Sequence, residues 1–167
     1  MSENGETIDP MEFRRVLGHY PTGVTVVTAD GPDGPAGFAV GTFASVSLDP
    51  PLVSFYPDKS SATWPAIEAA GSFCVNVLAD DQAGVCGKFA SKEDDKFAGI
   101  SWHTEVTGAP VLDDVLAWID CDIDVVHEAG DHWLVVGRVR ALDVADDARG
   151  PLLFFKGGYG AYGVLDG

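Results

Sequence analysis

Between Ala117 and Val125 the chain alternates with a period of two: Ala117, Ile119, Cys121, Ile123 and Val125 interleave with Trp118, Asp120, Asp122 and Asp124. A strand is the element that sends successive side chains to opposite faces. The segment therefore predicts a β-strand with an apolar inner face and its carboxylates on a wet one. His127 to Asp131 reads as a turn, and Trp133 to Val144 as the antiparallel return. Arg138 and Arg140 on that return can answer the aspartates across the ladder. A chain built around such a hairpin has a sheet for its centre.

Further strands follow from composition and punctuation. Thr22 to Ala29 is rich in valine and threonine, Asp30 to Gly34 is a loop of turn formers, and Leu52 to Tyr56 and Ser72 to Leu78 are short apolar runs. Helices are few. Asp9 can cap a first one, with Pro10 in its first turn and Phe13, Val16, Leu17 and Tyr20 along one face. A second runs from Thr63 or Trp64 to Ala70 and stops at Gly71, and Asp80 to Phe97 holds one or two more. Gly99 to Asp114 reads as irregular. Six or seven strands in consecutive hairpins predict a mainly β fold, a closed antiparallel barrel with short flanking helices. With no repeat or low-complexity linker, residues 1–167 are expected to form one domain, with residues 1–8 frayed.

Charge narrows the partners. A net charge of −16 argues against nucleic acid and against an anionic membrane surface. An anionic ligand would be repelled by the overall field, so its site must gather some of the ten Lys and Arg residues. No apolar run approaches the ~18 residues of a membrane span, and no signal peptide is visible. Cys74, Cys86 and Cys121 have no C-x-x-C pairing and read as buried reduced thiols of a cytoplasmic protein.

Two motifs mislead. Gly158 to Gly163 fits G-x-G-x-x-G letter for letter, but the dinucleotide fingerprint must follow a first strand and open a helix. His127 and His132 are five residues apart across a turn, whereas paired zinc histidines stand four apart on a helix, so no metal site is expected. More telling is the run from Gly37 to Val53, which carries glycines, hydroxyls and small side chains where a strand normally has bulk, then halts at Pro50-Pro51. Something flat and large can lie against such a strand. Downstream, Pro57 to Thr63 joins one lysine and several hydroxyls at the start of a helix, a reasonable phosphate cradle. Lys88-Phe89 offers a second cation beside an aromatic ring.

In ordered blocks over roughly Met11 to Tyr159, the chain resembles the flavin reductase-like family, FMN-binding split-barrel reductases that serve two-component monooxygenases. The blocks are Phe13-Arg14, Pro21 to Thr28, the run ending Ser45 to Val53, Ser60 to Thr63, Phe73 to Leu78 with Gln82, Lys88 to Ala90, Asp95 to Phe97, Gly130 to His132, and Pro151 to Phe155 with Gly158 and Tyr159. The resemblance implies an NAD(P)H:flavin oxidoreductase with the flavin ring, FMN or FAD, against Ala39, Val40, Gly41, Thr42, Phe43 and Ala44. It places the phosphate end near Lys59, Ser60, Ser61 and Thr63, and Lys88 and Phe89 near the flavin tail. His132 and Tyr159 fall where the ring and the incoming NADH or NADPH are approached, His132 as an orienting residue. It also implies a homodimer and a separate oxygenase component. Where relatives often carry a threonine, an asparagine and a serine, this chain has Ala39, Gly41 and Thr42. Two alternatives stay open: a flavoprotein that keeps its flavin and reduces another acceptor, and a non-catalytic flavin- or haem-binding barrel.

Overall fold

Asp9 starts the first element. Its carboxylate accepts from the backbone N–H of Met11 at 2.7 Å, capping helix α1 (Pro10–Leu17), which ends at Gly18. The computed structural model describes Gly5 and residues 7–166; of the segment expected to fray, residues 1–4 and 6 lie outside the described residues. Strands β1 (Thr22–Gly23), β2 (Thr25–Gly31), β3 (Gly34–Val40), β4 (Ala44–Ser47) and β5 (Leu52–Phe55) follow. Helix α2 (Trp64–Ala70) stops at Gly71, whose φ of 73° is the left-handed cap that glycine adopts freely. Next come β6 (Ser72–Val77), helix α3 (Ala83–Ala90), β7 (Trp102–Thr104) and β8 (Pro110–Leu112). The chain closes with β9 (Ala117–Ala129), β10 (His132–Val144), β11 (Leu152–Phe155) and β12 (Gly158–Ala161).

The main sheet is antiparallel with strand order β3-β2-β6-β9-β10-β5-β4, flanked by small sheets β1-β11-β12 and β7-β8. The fold is mainly β, as the sequence predicts, but the sheet is open rather than closed. Edge strands β3 and β4 do not pair with each other. α3 packs on β3, its Phe89 ring 3.0 Å from where a Cβ at Gly37 would stand, and Lys96 donates to the Gly37 carbonyl.

Four local expectations are also corrected. Thr22 to Ala29 splits at Val24, because its N–H and C=O bond outside the main sheet, to Leu152 and Leu78. The β9 strand runs on to Ala129, since Val126 and His127 still pair with β10, and only Gly130-Asp131 turns the chain. Part of the irregular segment pairs as β7-β8, held to the sheet by Thr28 Oγ1 donating to Pro110 and by Leu112 N–H donating to Asn76 Oδ1. Asp120 is fully buried, not on a wet face. Loop 106–107 covers that side of β9, and the carboxylate accepts from Val106 N–H, Thr107 N–H and the Thr107 hydroxyl. The anticipated cross-ladder pairs do form, Arg140–Asp122 at 2.5 Å and Arg138–Asp124 at 3.7 Å.

β2 separates two apolar clusters. Val27 faces Phe55, Phe73, Trp64 and Ile67, while Val26 faces Leu78, Phe89, Leu112 and Leu152. Phe55 meets Phe73 edge-on at 4.9 Å, and each such aromatic buries enough surface to be worth about 1.5–3 kcal/mol. The three cysteines are free and buried. No described helix is long and apolar enough to cross a membrane.

Candidate functional site

β3 and β4 lie at opposite edges of a seven-stranded sheet, yet only Gly41, Thr42 and Phe43 join them. Laid flat, those edges would stand about 29 Å apart at the usual strand spacing. Four Cα steps reach at most about 14 Å. The sheet must therefore curl until its edges almost meet, and the linker crosses the remaining split. There it walls a cavity of about 400 Å³ with Tyr20, Pro21, Thr22, Gly23, Thr25, Ala44 and Tyr56.

Thr25 and Tyr56, which line the same cavity, hold the linker and the end of β3 that leads into it. Thr25 Oγ1 donates to the Val40 carbonyl at 2.8 Å, and the Tyr56 N–H donates to Thr42 Oγ1 at 3.1 Å. A Cβ at Gly41 would come within 3.1 Å of Thr22 Oγ1, so the backbone approaches β1 as closely as glycine permits. Among the described residues, the N–H groups of Gly41, Thr42 and Phe43 have no hydrogen-bond partner. The wall thus offers small side chains, hydroxyls and free backbone donors. Those properties suit a flat heteroaromatic ring that carries carbonyls or gathers negative charge.

From the split, β3 leads back about 13 Å to Gly37. Lys96 stands there, its Nζ donating to the carbonyls of Gly37 and Phe89 at 3.2 Å and to Thr63 Oγ1 at 3.4 Å. Burial lowers its pKa. Three neutral acceptors take its three donors, and none neutralises its charge. Ser61 Oγ accepts from the N–H groups of Thr63 and Trp64 at the start of α2. Arg15, Lys59, Arg138, Arg140 and Arg149 each pair with a carboxylate. Among the described residues Arg14, Lys88, Lys92, Lys96 and Lys156 do not, in a chain with 26 acidic residues.

The structure brings together part of the set chosen from sequence. Gly41, Thr42, Phe43 and Ala44 line the cavity, whereas Ala39 packs on the core cluster around Phe89 and Val40 is buried. Thr63 and Phe89 contact Lys96, Ser61 bonds the start of α2, and half-buried Lys88 lies near the end of α3. Lys59 and Ser60 are directed elsewhere. The Lys59 ammonium pairs with Glu128 at 3.1 Å and sits 4.7 Å above the Trp133 ring, while the Ser60 N–H and hydroxyl both donate to Asp58. Those two bonds pull the Asp58 carboxyl below its ordinary pKa, which leaves a firm negative charge inside the expected phosphate cradle. His132 does not line the cavity: it opens β10 with Nδ1 2.7 Å from Asp131. Tyr159 sits on β12, where its hydroxyl donates to Cys86 Sγ at 3.3 Å.

Sequence reasoning missed Lys96, Thr22 and Tyr56. The Lys96-Phe97 pair and the rigid Pro21-Thr22-Gly23 step were visible signals. Their meaning depended on a curl that no local pattern encodes.

A family model for the flavin reductase-like domain matches residues 17–163. A flavin reductase of Pseudomonas putida is 57% identical over 95% of this chain and 93% of its own length. The reductase subunit HsaB of a flavin-dependent monooxygenase of Rhodococcus jostii is 51% identical over 92% of this chain and 78% of that protein. The solved structure of the Streptomyces globisporus NADH:FAD oxidoreductase SgcE6, in complex with NAD and FAD fragments, has a TM-score of 0.87 at 35% identity, covering 95% of this chain and 97% of that one. The split sheet, the bare linker across its gap and these likenesses agree: the chain belongs to the flavin reductase-like family.

Proposed function

We propose that the chain is an NADH- or NADPH-dependent flavin reductase that lays FMN or FAD along β3 and delivers the reduced flavin to a separate monooxygenase component. The single observation that carries the site assignment is the bare linker Gly41–Phe43, with its unpartnered N–H groups, at the split of the sheet. The relatives include FMN- and FAD-reducing enzymes that use NADH, and reductase subunits of monooxygenases. A bound flavin supplies the electron-accepting chemistry, and the nicotinamide supplies the hydride.

The protein's own contribution is positioning. The N–H groups of Gly41, Thr42 and Phe43 would hold the carbonyl edge of a bound flavin and favour negative charge there. Tyr56 and Tyr20, which line the cavity, would border the ring, and Thr22 has its hydroxyl against the linker. The phosphate end extends toward Ser61, Thr63, Lys88 and Lys96, where charge without a carboxylate partner is concentrated. Lys59 and Ser60 lie farther out on the same loop. Tyr159 borders the ring side through the small sheet, and His132 orients the nicotinamide side. With Gly41 in place of a longer polar side chain on the cavity wall, flavin is held weakly and exchanges between turnovers.

The assembly is a homodimer in this proposal. Helix α1 buries none of its residues; Phe13, Val16, Leu17 and Tyr20 are 50–74% exposed, and Tyr20 lines the cavity. A second copy would cover that face and shelter the ring. The enzyme reading is tested by NADH and NADPH oxidation under air with each flavin. Turnover that requires both protein and flavin supports it, and the absence of turnover with every pair contradicts it.

A further inference from the structure

A second cavity, of about 450 Å³, is lined by Arg14, Arg15, Gly18, His19, Lys156 and Gly157. Its walls come from the end of α1 and from the β11–β12 turn, which the Lys156 N–H ties to the Gly18 carbonyl at 2.9 Å. Arg15 is engaged by Glu12, at 2.7 and 2.8 Å. Arg14 and Lys156 have no carboxylate partner among the described residues, although acidic groups outnumber basic ones by more than two to one. Since the Arg15 carbonyl can only accept, His19 Nδ1 is its donor at 2.8 Å, and Nε2 is the ring atom left free.

Basic residues in the last turn of a helix complement its dipole, which accounts for Arg14 and Arg15. It does not account for Lys156. That residue holds φ 51° ahead of Gly157 at φ 77°, a two-residue hairpin turn in which asparagine and glycine are the usual occupants. Two elements distant in sequence thus deliver cations without carboxylate partners to one concavity, the Lys156 ammonium lying 5.2 Å from the centre of the Phe155 ring. The cavity also adjoins the ring site. His19 lines one and Tyr20 and Pro21 line the other, with adjacent Cα atoms about 3.8 Å apart.

We propose that this cavity takes the pyrophosphate of an ADP-bearing nucleotide, the nicotinamide dinucleotide whose hydride-donating ring enters the neighbouring cavity. The identification of that nucleotide rests on the flavin reductase reading; the anion site itself does not. Arg14 and Lys156 supply charge and N–H donors to the phosphate oxygens, and His19 Nε2 adds a donor when protonated.

Calorimetric titration with ADP-ribose, which has the pyrophosphate but no nicotinamide, tests it on the full chain. Arg14→Gln and Lys156→Gln should each weaken ADP-ribose roughly three- to tenfold, and Arg14→Lys should restore most of the loss. FMN and FAD affinities, measured in parallel, should both hold. A loss confined to FAD would overturn the nicotinamide assignment and give the pyrophosphate site to the flavin. Unchanged affinity for ADP-ribose and FAD in folded variants would overturn the site. Should a variant fail to fold, the parent protein's affinity for ADP-ribose must fall as salt rises, and indifference to salt would count against the proposal. Charge-dependent ADP-ribose binding by a parent that never reduces FMN with NADH would instead sink the reductase reading while keeping this site.

Discussion

The Lys96 ammonium lies 3.4 Å from the Thr63 hydroxyl, and its other two contacts are the carbonyls of Gly37 and Phe89. One cation therefore cross-links β3, the start of α2 and the end of α3 without meeting a carboxylate. If its charge serves a flavin phosphate, Lys96→Met should weaken FMN about tenfold or more and leave riboflavin, which has no phosphate, nearly unchanged. Equal losses for both ligands would mean that Lys96 only braces the fold. Lys59→Ala should cost less, because Glu128 already engages that charge.

Gly41 is the tightest point of the linker. A leucine there would put its Cβ about 3.1 Å from Thr22 Oγ1 and add bulk to a wall of the cavity. Since Gly41 is exposed, thermal stability should change little while flavin affinity falls by an order of magnitude or more. Fluorescence titration with FMN alongside a melting curve separates the two effects. Unaltered flavin affinity would place the ring elsewhere.

Asp120 satisfies three donors of loop 106–107 from within the sheet. Asp120→Ala removes every acceptor at once and should cost roughly 2–4 kcal/mol in urea unfolding. A loss below about 0.5 kcal/mol would show that the loop finds other partners. Gly137 provides an independent core test. A Cβ there would stand 2.4 Å from the Phe73 ring, so Gly137→Ala should destabilise by about 1–3 kcal/mol through overpacking.

Burial pushes the Cys74 thiol well above its ordinary pKa and the Cys121 thiol up to about 12, with Asp120 adding to both. In the unfolded chain these thiols ionise near pH 9, so above that the unfolded state sheds protons that the folded state retains. The stability they contribute is complete below pH 9 and declines as pH climbs toward their folded values. Desolvated Lys96 acts in the opposite sense, but it is a single, half-buried group. Denaturation midpoints should therefore drop between about pH 9 and 11, and both thiols should resist alkylation in the folded protein at pH 8. Rapid labelling of either under native conditions would contradict this.

What could be read from sequence was whatever local chemistry decides. The Asp9 cap, the Gly71 stop and the Arg138 and Arg140 pairs follow from neighbours a few residues away or directly across a ladder. Asp120 looked like its period-two companions Asp122 and Asp124, and only a loop folding over β9 distinguishes it. The small residues of Gly37 to Val53 announced a ligand surface, yet read as one strand they hid the jump from one sheet edge to the other. Lys96 was legible as a residue but not as a site. Its meaning comes from Gly37 and Thr63, 59 and 33 positions away.

On the proposed assignment, the split of the sheet holds flavin for reduction by a nicotinamide nucleotide. Anaerobic mixing of the protein and FMN with NADH tests it most directly, read as the loss of oxidised-flavin absorbance. The expected result is bleaching far faster than without protein, slowed strongly by Gly41→Leu. Bleaching at the protein-free rate, or full-rate bleaching by the Gly41→Leu variant, would contradict it.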